Sequence, residues 1–249
     1  MTAESVPRLR VFAGPNGSGK STIKQDLPPE WLGVYINADD IEKFIREHGF
    51  LSLADYEVTA TGPELKSFLA ASTLLAKAGL LDQAAELALN GDLVAFGAVA
   101  VNSYFASVLS DFIRHKLLEA KTSFTFETVM SYPDKVEFLH KAQQAGFRTY
   151  LYYVATKDPE INVFRVQHRV ATGGHPVSEK DIVSRYSRSL NLLSDAVAFT
   201  DRAYIFDNSG HERVWIAEVT GGNELRLEAE EIPYWVKTAL LDKFGMDFD

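Results

Sequence analysis

Eight consecutive residues match a phosphate-binding pattern without a mismatch. The pattern is G-x-x-x-x-G-K-[ST], and the residues are Gly14-Pro15-Asn16-Gly17-Ser18-Gly19-Lys20-Ser21. Glycines allow backbone conformations that side chains forbid, so successive N–H groups can point inward at a phosphate. Lys20 would add a point charge for the β- and γ-phosphates, and the Ser21 hydroxyl would bind the Mg²⁺ that accompanies a nucleoside triphosphate. We therefore expect ATP and Mg²⁺ as cofactors, with the nucleotide bound by the stretch from Gly14 through Thr22.

The sequence around this loop predicts a strand before it and a helix after it. Leu9, Val11 and Phe12 belong to a short apolar run that is typical of a buried strand. Residues 21–25 can continue as a helix that Pro28-Pro29 ends. Such a helix adds the partial positive charge of its N-terminus to a phosphate site. A glycine-rich turn beside a surface lysine is the alternative, and the matching context disfavours it.

Two acidic residues follow the next apolar run, which covers Gly33 to Ile36. In open α/β sheets, ligands bind at the carboxyl ends of the strands, so we expect Asp39 and Asp40 near the phosphates. The alternative is that one of them caps the helix that begins near Ile41, as aspartate does well. The two roles are compatible with each other.

A further carboxylate closes the β-prone segment Thr122 to Phe126. Glu127 and Thr128 come directly after it, at an expected strand end. Residues 149–154 are almost continuously apolar, which predicts a central strand covered on both faces. Strands that alternate with helices predict a parallel sheet.

Residues 158–193 hold the second cluster of candidate residues. A helix from about Pro159 and a second helix after Gly173-Gly174-His175 would make a hinged lid. The arginines on these two helices are Arg165, Arg169, Arg185 and Arg188. Arginine pairs with phosphate oxygens bidentately and stays charged, so the segment predicts a phosphate-sensing lid. Four solvated surface arginines are the alternative.

Composition and charge narrow the class of protein. Hydrophobic residues make up 46% of the 249 residues, as in an ordinary globular protein. No run approaches the ~20 apolar residues that span a bilayer, and no signal peptide is recognisable, so we expect a cytoplasmic protein without a membrane partner. The absence of cysteine excludes disulfides and thiolate metal sites. A net charge of −9 argues against a nucleic-acid partner but allows a small anionic substrate in a local basic pocket.

These patterns predict an α/β fold over residues 1–249, with a mostly parallel sheet of the P-loop NTPase and kinase type flanked by helices. A segment rich in Ala and Leu, about 57–121, predicts a helical insertion, and Asn90-Gly91 would separate two of its helices. The lid would be a second helical part, about 158–193. Gly221-Gly222 predicts the turn of an edge hairpin, and Trp235 would anchor a final amphipathic helix.

The chain resembles the zeta-toxin family of P-loop kinases, in particular its smaller bacterial members. Besides the loop, four matching segments occur in this order: Asn37 to Ile41, Phe126-Glu127-Thr128, Arg165 to His175, and Phe206-Asp207-Asn208-Ser209. Many families share the loop, so the other four segments make the resemblance specific. The resemblance implies a kinase that phosphorylates the 3′-hydroxyl of UDP-N-acetylglucosamine with ATP, and it implies an antitoxin protein as a possible partner.

The resemblance also implies roles for individual residues. Lys20 falls on the phosphate ligand, Ser21 on the Mg²⁺ ligand and Asp39 on the catalytic base. Arg165 matches the first lid arginine. The second has no clean counterpart, because Gly173-Gly174-His175 stands at its spacing, and either Arg169 or Arg185 would take its place. The residues that would complete the site are Arg169 as a catalytic arginine, and Asp40, Glu127, Thr128 and Arg185 as substrate-binding residues.

Three functions are compatible with these features. A kinase needs a base at a strand end and convergent arginines, and the sequence offers candidates for both. An ATP-binding switch, which signals to a partner without transferring phosphate, would need no base. A kinase acting on nucleic-acid ends is disfavoured by the net charge of −9.

Overall fold

The computed structural model describes residues 6–172 and 176–245. Its strands are β1 (Arg8–Ala13), β2 (Val34–Ile36), β3 (Phe50–Ser52), β4 (Ala88–Asn90), β5 (Leu93–Ala95), β6 (Phe124–Thr128), β7 (Arg148–Ala155), β8 (Arg202–Asp207), β9 (Val214–Thr220) and β10 (Glu224–Leu227). Its α-helices are α1 (Pro29–Leu32), α2 (Ala38–His48), α3 (Gly62–Ala70), α4 (Thr73–Ala78), α5 (Leu81–Glu86), α6 (Ser103–Glu119), α7 (Asp134–Gln144), α8 (Pro159–Ala171), α9 (Glu179–Asn191), α10 (Leu193–Ala198) and α11 (Tyr234–Ala239). Short 3₁₀ helices cover Lys20–Asp26, Ala54–Tyr56 and Leu241–Phe244.

The chain divides into two compact units. The first unit contains residues 1–32 and 125–249, and the second contains residues 33–124. The second unit thus includes the segment 57–121 that the sequence predicts to be a helical insertion.

The first unit is built on a mostly parallel sheet, which confirms the predicted α/β fold class. Six strands of this unit lie in the order β10-β9-β8-β7-β1-β6. β7 pairs in parallel with both β1 and β8, whereas β8, β9 and β10 form an antiparallel meander. Side chains of the central strands, such as Val11 and Leu151, are fully buried because helices α7 and α10 pack against β7.

The C-terminal part of the first unit confirms the edge hairpin and modifies the final helix. β9 and β10 pair on either side of Gly221-Gly222, as predicted. The predicted single helix is instead two pieces, because the backbone at Leu240 leaves the helical region between α11 and the last 3₁₀ helix. Trp235 is buried, and its indole nitrogen donates a hydrogen bond to Asp207 Oδ2 over 2.7 Å.

The second unit combines helices with a small antiparallel sheet. Helix α6 packs against α2, α3 and α4 through its apolar face. Strands β3, β5 and β4 form the sheet, which the sequence did not predict. The predicted helix break at Asn90-Gly91 is wrong, because these residues lie in the tight β4–β5 hairpin. Gly91 has φ of 65°, and an Asn-Gly pair is a strong hairpin signal.

No helix within the described ranges combines the length and the apolar character needed to cross a bilayer.

Candidate functional site: a phosphate loop and its surroundings

The glycine-rich loop at 14–21 follows β1 directly and adopts backbone conformations that favour glycine at three positions. Gly14, Gly17 and Gly19 have φ angles of 138°, 74° and 96°. A Cβ atom on Gly14 would lie 1.9 Å from the Val154 carbonyl oxygen of β7. The loop therefore passes too close to the neighbouring strand for any side chain, as the pattern predicts.

Side-chain donors from several parts of the chain hold the carbonyl groups of this loop. Asn162 Nδ2 on α8 donates to the Asn16 carbonyl over 2.6 Å. Asn208 Nδ2, just after β8, donates to the Ser18 carbonyl over 2.8 Å. The Lys20 ammonium group folds over its own loop and donates to the Pro15 carbonyl over 2.9 Å.

Two polar side-chain atoms of the loop are buried with no hydrogen-bond partner in the described part of the protein. They are Ser18 Oγ and Asn16 Oδ1. Ser18 as a whole has no solvent exposure. A buried hydroxyl without a partner is costly, and a phosphate oxygen would accept its hydrogen bond. The loop thus fits an anionic ligand.

The segment after the loop is a helix, Lys20–Asp26, close to the predicted range, but it is a 3₁₀ helix. Gly19 precedes it in the left-handed conformation, with φ of 96°. Leu27 is extended, as a residue before proline tends to be, so the helix ends at Asp26, two residues ahead of Pro28. The prediction that Pro28-Pro29 ends one helix is therefore incomplete, because Pro29 opens α1, where a first-turn proline is well tolerated.

Ser21 contacts a carboxylate that the sequence places far away. Its hydroxyl donates to Glu127 Oε2 over 2.9 Å, and Glu127 lies near the carboxyl end of β6. A hydroxyl and a carboxylate side by side are the hard oxygen ligands that Mg²⁺ takes. Among the described residues, no group of three or more His, Cys, Asp or Glu side chains could hold a metal by itself. A cation here would need phosphate oxygens as further ligands.

The loop that follows β8 contacts α8, the phosphate loop and the 3₁₀ helix after it. Arg165 Nη1 on α8 donates to the Asn208 carbonyl over 2.7 Å, and its Nη2 donates to the Gly210 carbonyl over 3.4 Å. Arg213 Nη1 donates to Thr22 Oγ1 over 2.9 Å, and Arg213 also pairs with Asp26. Burial lowers the pKa of Arg213.

A buried hydrogen bond joins helix α9 to the segment that follows β7. Tyr186 on α9 donates its hydroxyl to the Thr156 carbonyl over 2.6 Å. Burial, followed by the charges of Asp158 and Asp207, raises the pKa of Tyr186 to about 12, so the hydroxyl stays a neutral donor. Asp207 accepts from the Ser209 backbone N–H and from Trp235, which explains its carboxylate without a ligand.

The remaining predicted residues of the first unit are Thr128 on β6, Arg169 on α8 and Arg185 on α9. Thr128 Oγ1 accepts from the Met130 N–H over 2.9 Å and thereby closes the turn after β6. Arg169 is exposed on α8, and Arg185 is half-exposed on α9. A hydrogen bond from Ser178, followed by the charge of Arg185, lowers the pKa of Asp181. The predicted hinge Gly173-Gly174-His175 lies outside the described residues.

Asp39 and Asp40 lie in the second unit, in the first turn of α2. Asn37 is the N-cap of this helix, and its Oδ1 accepts from the Asp39 N–H over 2.9 Å. The alternative in which Asp39 or Asp40 caps the helix is therefore wrong. Both aspartates are exposed, so their carboxylates are not occupied by capping.

Sequence reasoning missed Asn162 and Arg213. Each contacts the phosphate loop or its 3₁₀ helix, but the contacts join residues 146 and 191 positions apart in the chain. Neither residue stands in a recognisable local motif, so no signal in the sequence could have identified them.

Comparison with known proteins shows which family model and which solved structures this chain is similar to. Residues 97–220 match the family model of zeta toxin. A chain of the AvrRxo1-ORF1:-ORF2 complex with ATP is similar over 97% of this chain and 64% of its own, with a TM-score of 0.54 and 16% identity. A chain from the PezAT chromosomal toxin–antitoxin system of Streptococcus pneumoniae is similar over 100% of this chain and 82% of its own, with a TM-score of 0.51 and 13% identity. At these identities the similarity concerns the fold.

A curated protein from Haemophilus influenzae is 29% identical over 72 residues, which are 29% of this chain. The match spans about half of that relative, 51% of its length.

Proposed function

This chain is zeta-toxin-like, and from that premise we propose that it transfers the γ-phosphoryl group of ATP to a hydroxyl group of a small substrate. The observation that carries the proposal is the loop at 14–21, whose three glycines have positive φ and whose Ser21 contacts Glu127. An ATP complex is known for a protein of similar fold, AvrRxo1.

The triphosphate would bind in the loop. Backbone N–H groups and the buried Ser18 hydroxyl would donate to phosphate oxygens. Lys20 would exchange its bond to the neutral Pro15 carbonyl for a bond to an anionic phosphate oxygen, because two opposite charges attract each other more strongly than a charge attracts a dipole. These groups position the phosphates and balance their charge.

Ser21 and Glu127 are the residues that would hold Mg²⁺ together with the phosphates. The ion would neutralise charge on the β- and γ-phosphate oxygens as the phosphoryl group leaves. Arg165 and Arg169 would contribute further positive charge from α8.

Asp39 is the proposed base. Its carboxylate is exposed and does not cap α2. In the proposed step, the acceptor oxygen bonds to the γ-phosphorus, its proton passes to Asp39, and the bond from the γ-phosphorus to the bridging oxygen breaks to release ADP. The assignment rests on the position of Asp39 after strand β2 and on the resemblance.

We propose a nucleotide sugar such as UDP-N-acetylglucosamine as the acceptor, which follows the resemblance. Asp40, Glu127, Thr128 and Arg185 are the proposed substrate-binding residues. We further propose a cytoplasmic location, because ATP is the cosubstrate, and an antitoxin protein as a partner. Support for such a partner comes from PezAT, a toxin–antitoxin system of similar fold.

One observation favours a second candidate, an ATP-binding switch that does not transfer phosphate to a small molecule. The Arg165 guanidinium group, which a kinase would direct at the phosphoryl group, donates instead to the Asn208 and Gly210 carbonyls. An arginine so engaged could transmit nucleotide binding to α8 without taking part in chemistry.

The experiment that separates the two candidates is incubation of the purified protein with γ-labelled ATP, Mg²⁺ and a panel of nucleotide sugars. We expect label on UDP-N-acetylglucosamine or a related nucleotide sugar, and none with the Lys20→Ala variant. Binding of ATP with transfer only to water would overturn the kinase and support the switch.

A further inference from the structure

We propose that Asn162 and Asn208 are positioning residues that aim the backbone N–H groups of Gly17 and Gly19 at the nucleotide phosphates. The inference rests on the proposed ATP site and adds two residues to it. Both asparagines donate to carbonyl groups of the loop, at Asn16 and Ser18.

The geometry of the peptide group turns a bonded carbonyl into an aimed N–H. In a trans peptide, the C=O of one residue and the N–H of the next point in opposite directions. All described peptide bonds are trans. When Asn162 holds the Asn16 carbonyl, the Gly17 N–H must therefore point away from Asn162. In the same way, Asn208 on the Ser18 carbonyl turns the Gly19 N–H away from itself.

The orientation of the Asn162 amide follows from its partners. A backbone carbonyl can only accept, so the NH₂ group faces Asn16, and Oδ1 faces the Thr156 hydroxyl, which donates to it. Asn162 is fully buried. A Cβ on Gly17 would lie 2.7 Å from the Asn162 carbonyl oxygen, so α8 and the loop are in direct contact. The donor is thus fixed in place before nucleotide binds.

Two backbone hydrogen bonds and a close approach to Gly19 fix the position of Asn208. Its own N–H donates to the Ala155 carbonyl over 2.8 Å, and its carbonyl accepts from Arg165. Its side-chain nitrogen lies 2.3 Å from where a Cβ on Gly19 would be. Only glycine at this position leaves room for the donor. Arg165 therefore acts on the loop through Asn208.

Helix α8 influences the position of both donors, because it carries Asn162 and also Arg165, which bonds to Asn208. Asn162 and Arg165 are three positions apart on α8, which places them on neighbouring sites of one helix face. The first turns of α8, which the sequence assigns to a lid, thus support the phosphate loop. A shift of α8 would reorient two phosphate-facing N–H groups together.

The test uses Asn162→Leu and Asn208→Leu, which keep the approximate size of the side chain and remove the donor. The amide proton shifts of Gly17 and Gly19 are followed by ¹⁵N–¹H NMR in the full chain as Mg·ADP is added. In the wild type, we expect both amide protons to move downfield, as they do when they bond to phosphate. Asn208→Leu should lose the Gly19 shift and keep that of Gly17, and Asn162→Leu should show the reverse.

Each substitution should also weaken Mg·ADP binding by about tenfold, the effect of one hydrogen bond to a charged group. A purely structural role would lower the melting temperature without a selective loss of one amide shift. Because Asn208 is half-exposed, its variant provides the test even where the buried Asn162→Leu fails to fold. Retention of both shifts in a folded variant overturns the inference alone, whereas a wild type that binds no Mg·ADP overturns the nucleotide site as well.

Discussion

The phosphate loop of the first unit and helix α6 of the second unit are stabilised by different interactions. The loop depends on a few directional hydrogen bonds, such as those from Asn162 and Asn208. Helix α6 depends on a continuous apolar face and a local N-cap, Asn102. Its fully buried residues include Phe105, Leu109 and Ile113.

This difference predicts how each region responds to substitution. Directional bonds fix the orientation of particular groups, so a change in the loop should alter ligand binding more than stability. Apolar packing adds up over many contacts, so a change in α6 should alter stability and leave ligand binding as it was.

Asp39 should be an exception to this difference between the units. It lies in the second unit, but it is the proposed catalytic base. Asp39→Asn keeps size and most hydrogen-bonding capacity but loses the basic oxygen, so turnover should fall by ~10²–10⁴. Stability should change little, since Asn37 caps the helix. Single-turnover rates at saturating Mg·ATP provide the measurement. Glu47→Gln, which removes another exposed carboxylate of α2, is the control. Equal, mild effects at both positions would contradict the base assignment.

Phe112→Ala should show the opposite behaviour. Phe112 is 2% exposed and packs edge-on against Phe68, with ring centroids 5.2 Å apart. Its loss should destabilise the protein by about 3–5 kcal/mol. Tyr104→Ala on the same helix, where the side chain is 45% exposed, is the matched control. Denaturant unfolding measures the effect, and a parallel fall in the Mg·ATP affinity of the folded variant would argue against the separation of roles.

Gly17→Ala should damage binding through a steric clash as well as through strain. With φ of 74°, alanine would cost about 1–2 kcal/mol at this position. Its Cβ would also lie 2.7 Å from the Asn162 carbonyl oxygen, which should displace the loop. Gly146→Ala is the control, because Gly146 has φ of 81° and open space around it. Titration calorimetry should show weaker Mg·ATP binding for Gly17→Ala only. Equal affinities would mean that the contact with α8 does not shape the loop.

Glu64→Gln should give the smallest effect, in the second unit. Hydrogen bonds from Lys116 and Thr61 lower the pKa of Glu64 to about 2. A lowered pKa stabilises the fold above the unfolded value of 4.5, and this contribution is lost as the pH falls toward the folded value. The melting temperature of Glu64→Gln should therefore lie slightly below that of the wild type at pH 7, and the gap should narrow below pH 4.5. A gap independent of pH would exclude the ion pair as its cause.

The sequence predicted those parts of the molecule whose structure depends on residues close together in the chain. The predicted loop glycines and the strands β1, β7 and β8 are confirmed. Each of them is specified by a motif or an apolar run of only a few consecutive residues. The cap at Asn37 could have been predicted, since asparagine caps as well as aspartate does. The hairpin at Asn90-Gly91 could also have been predicted from its Asn-Gly pair, but the surrounding Ala- and Leu-rich sequence favoured a helix.

Long-range contacts account for what could not be predicted. Ser21 and Glu127 are 106 positions apart, and Asn208 and Ser18 are 190 apart. Nothing in the sequence shows which polar side chain will reach which carbonyl group across such distances. The motif therefore located the candidate site, whereas the side chains that hold its loop could be identified only from the structure.

The most direct test of a phosphate site at this loop is the calorimetric titration of Mg·ATP into the wild type and into Lys20→Ala. Lys20 is half-buried and lies outside the apolar core, so its removal should change the melting temperature only slightly. We predict that the wild type binds Mg·ATP and that Lys20→Ala binds it about ten- to a hundredfold more weakly. Equal affinity in the two proteins, or no binding by the folded wild type, would contradict a phosphate site at this loop.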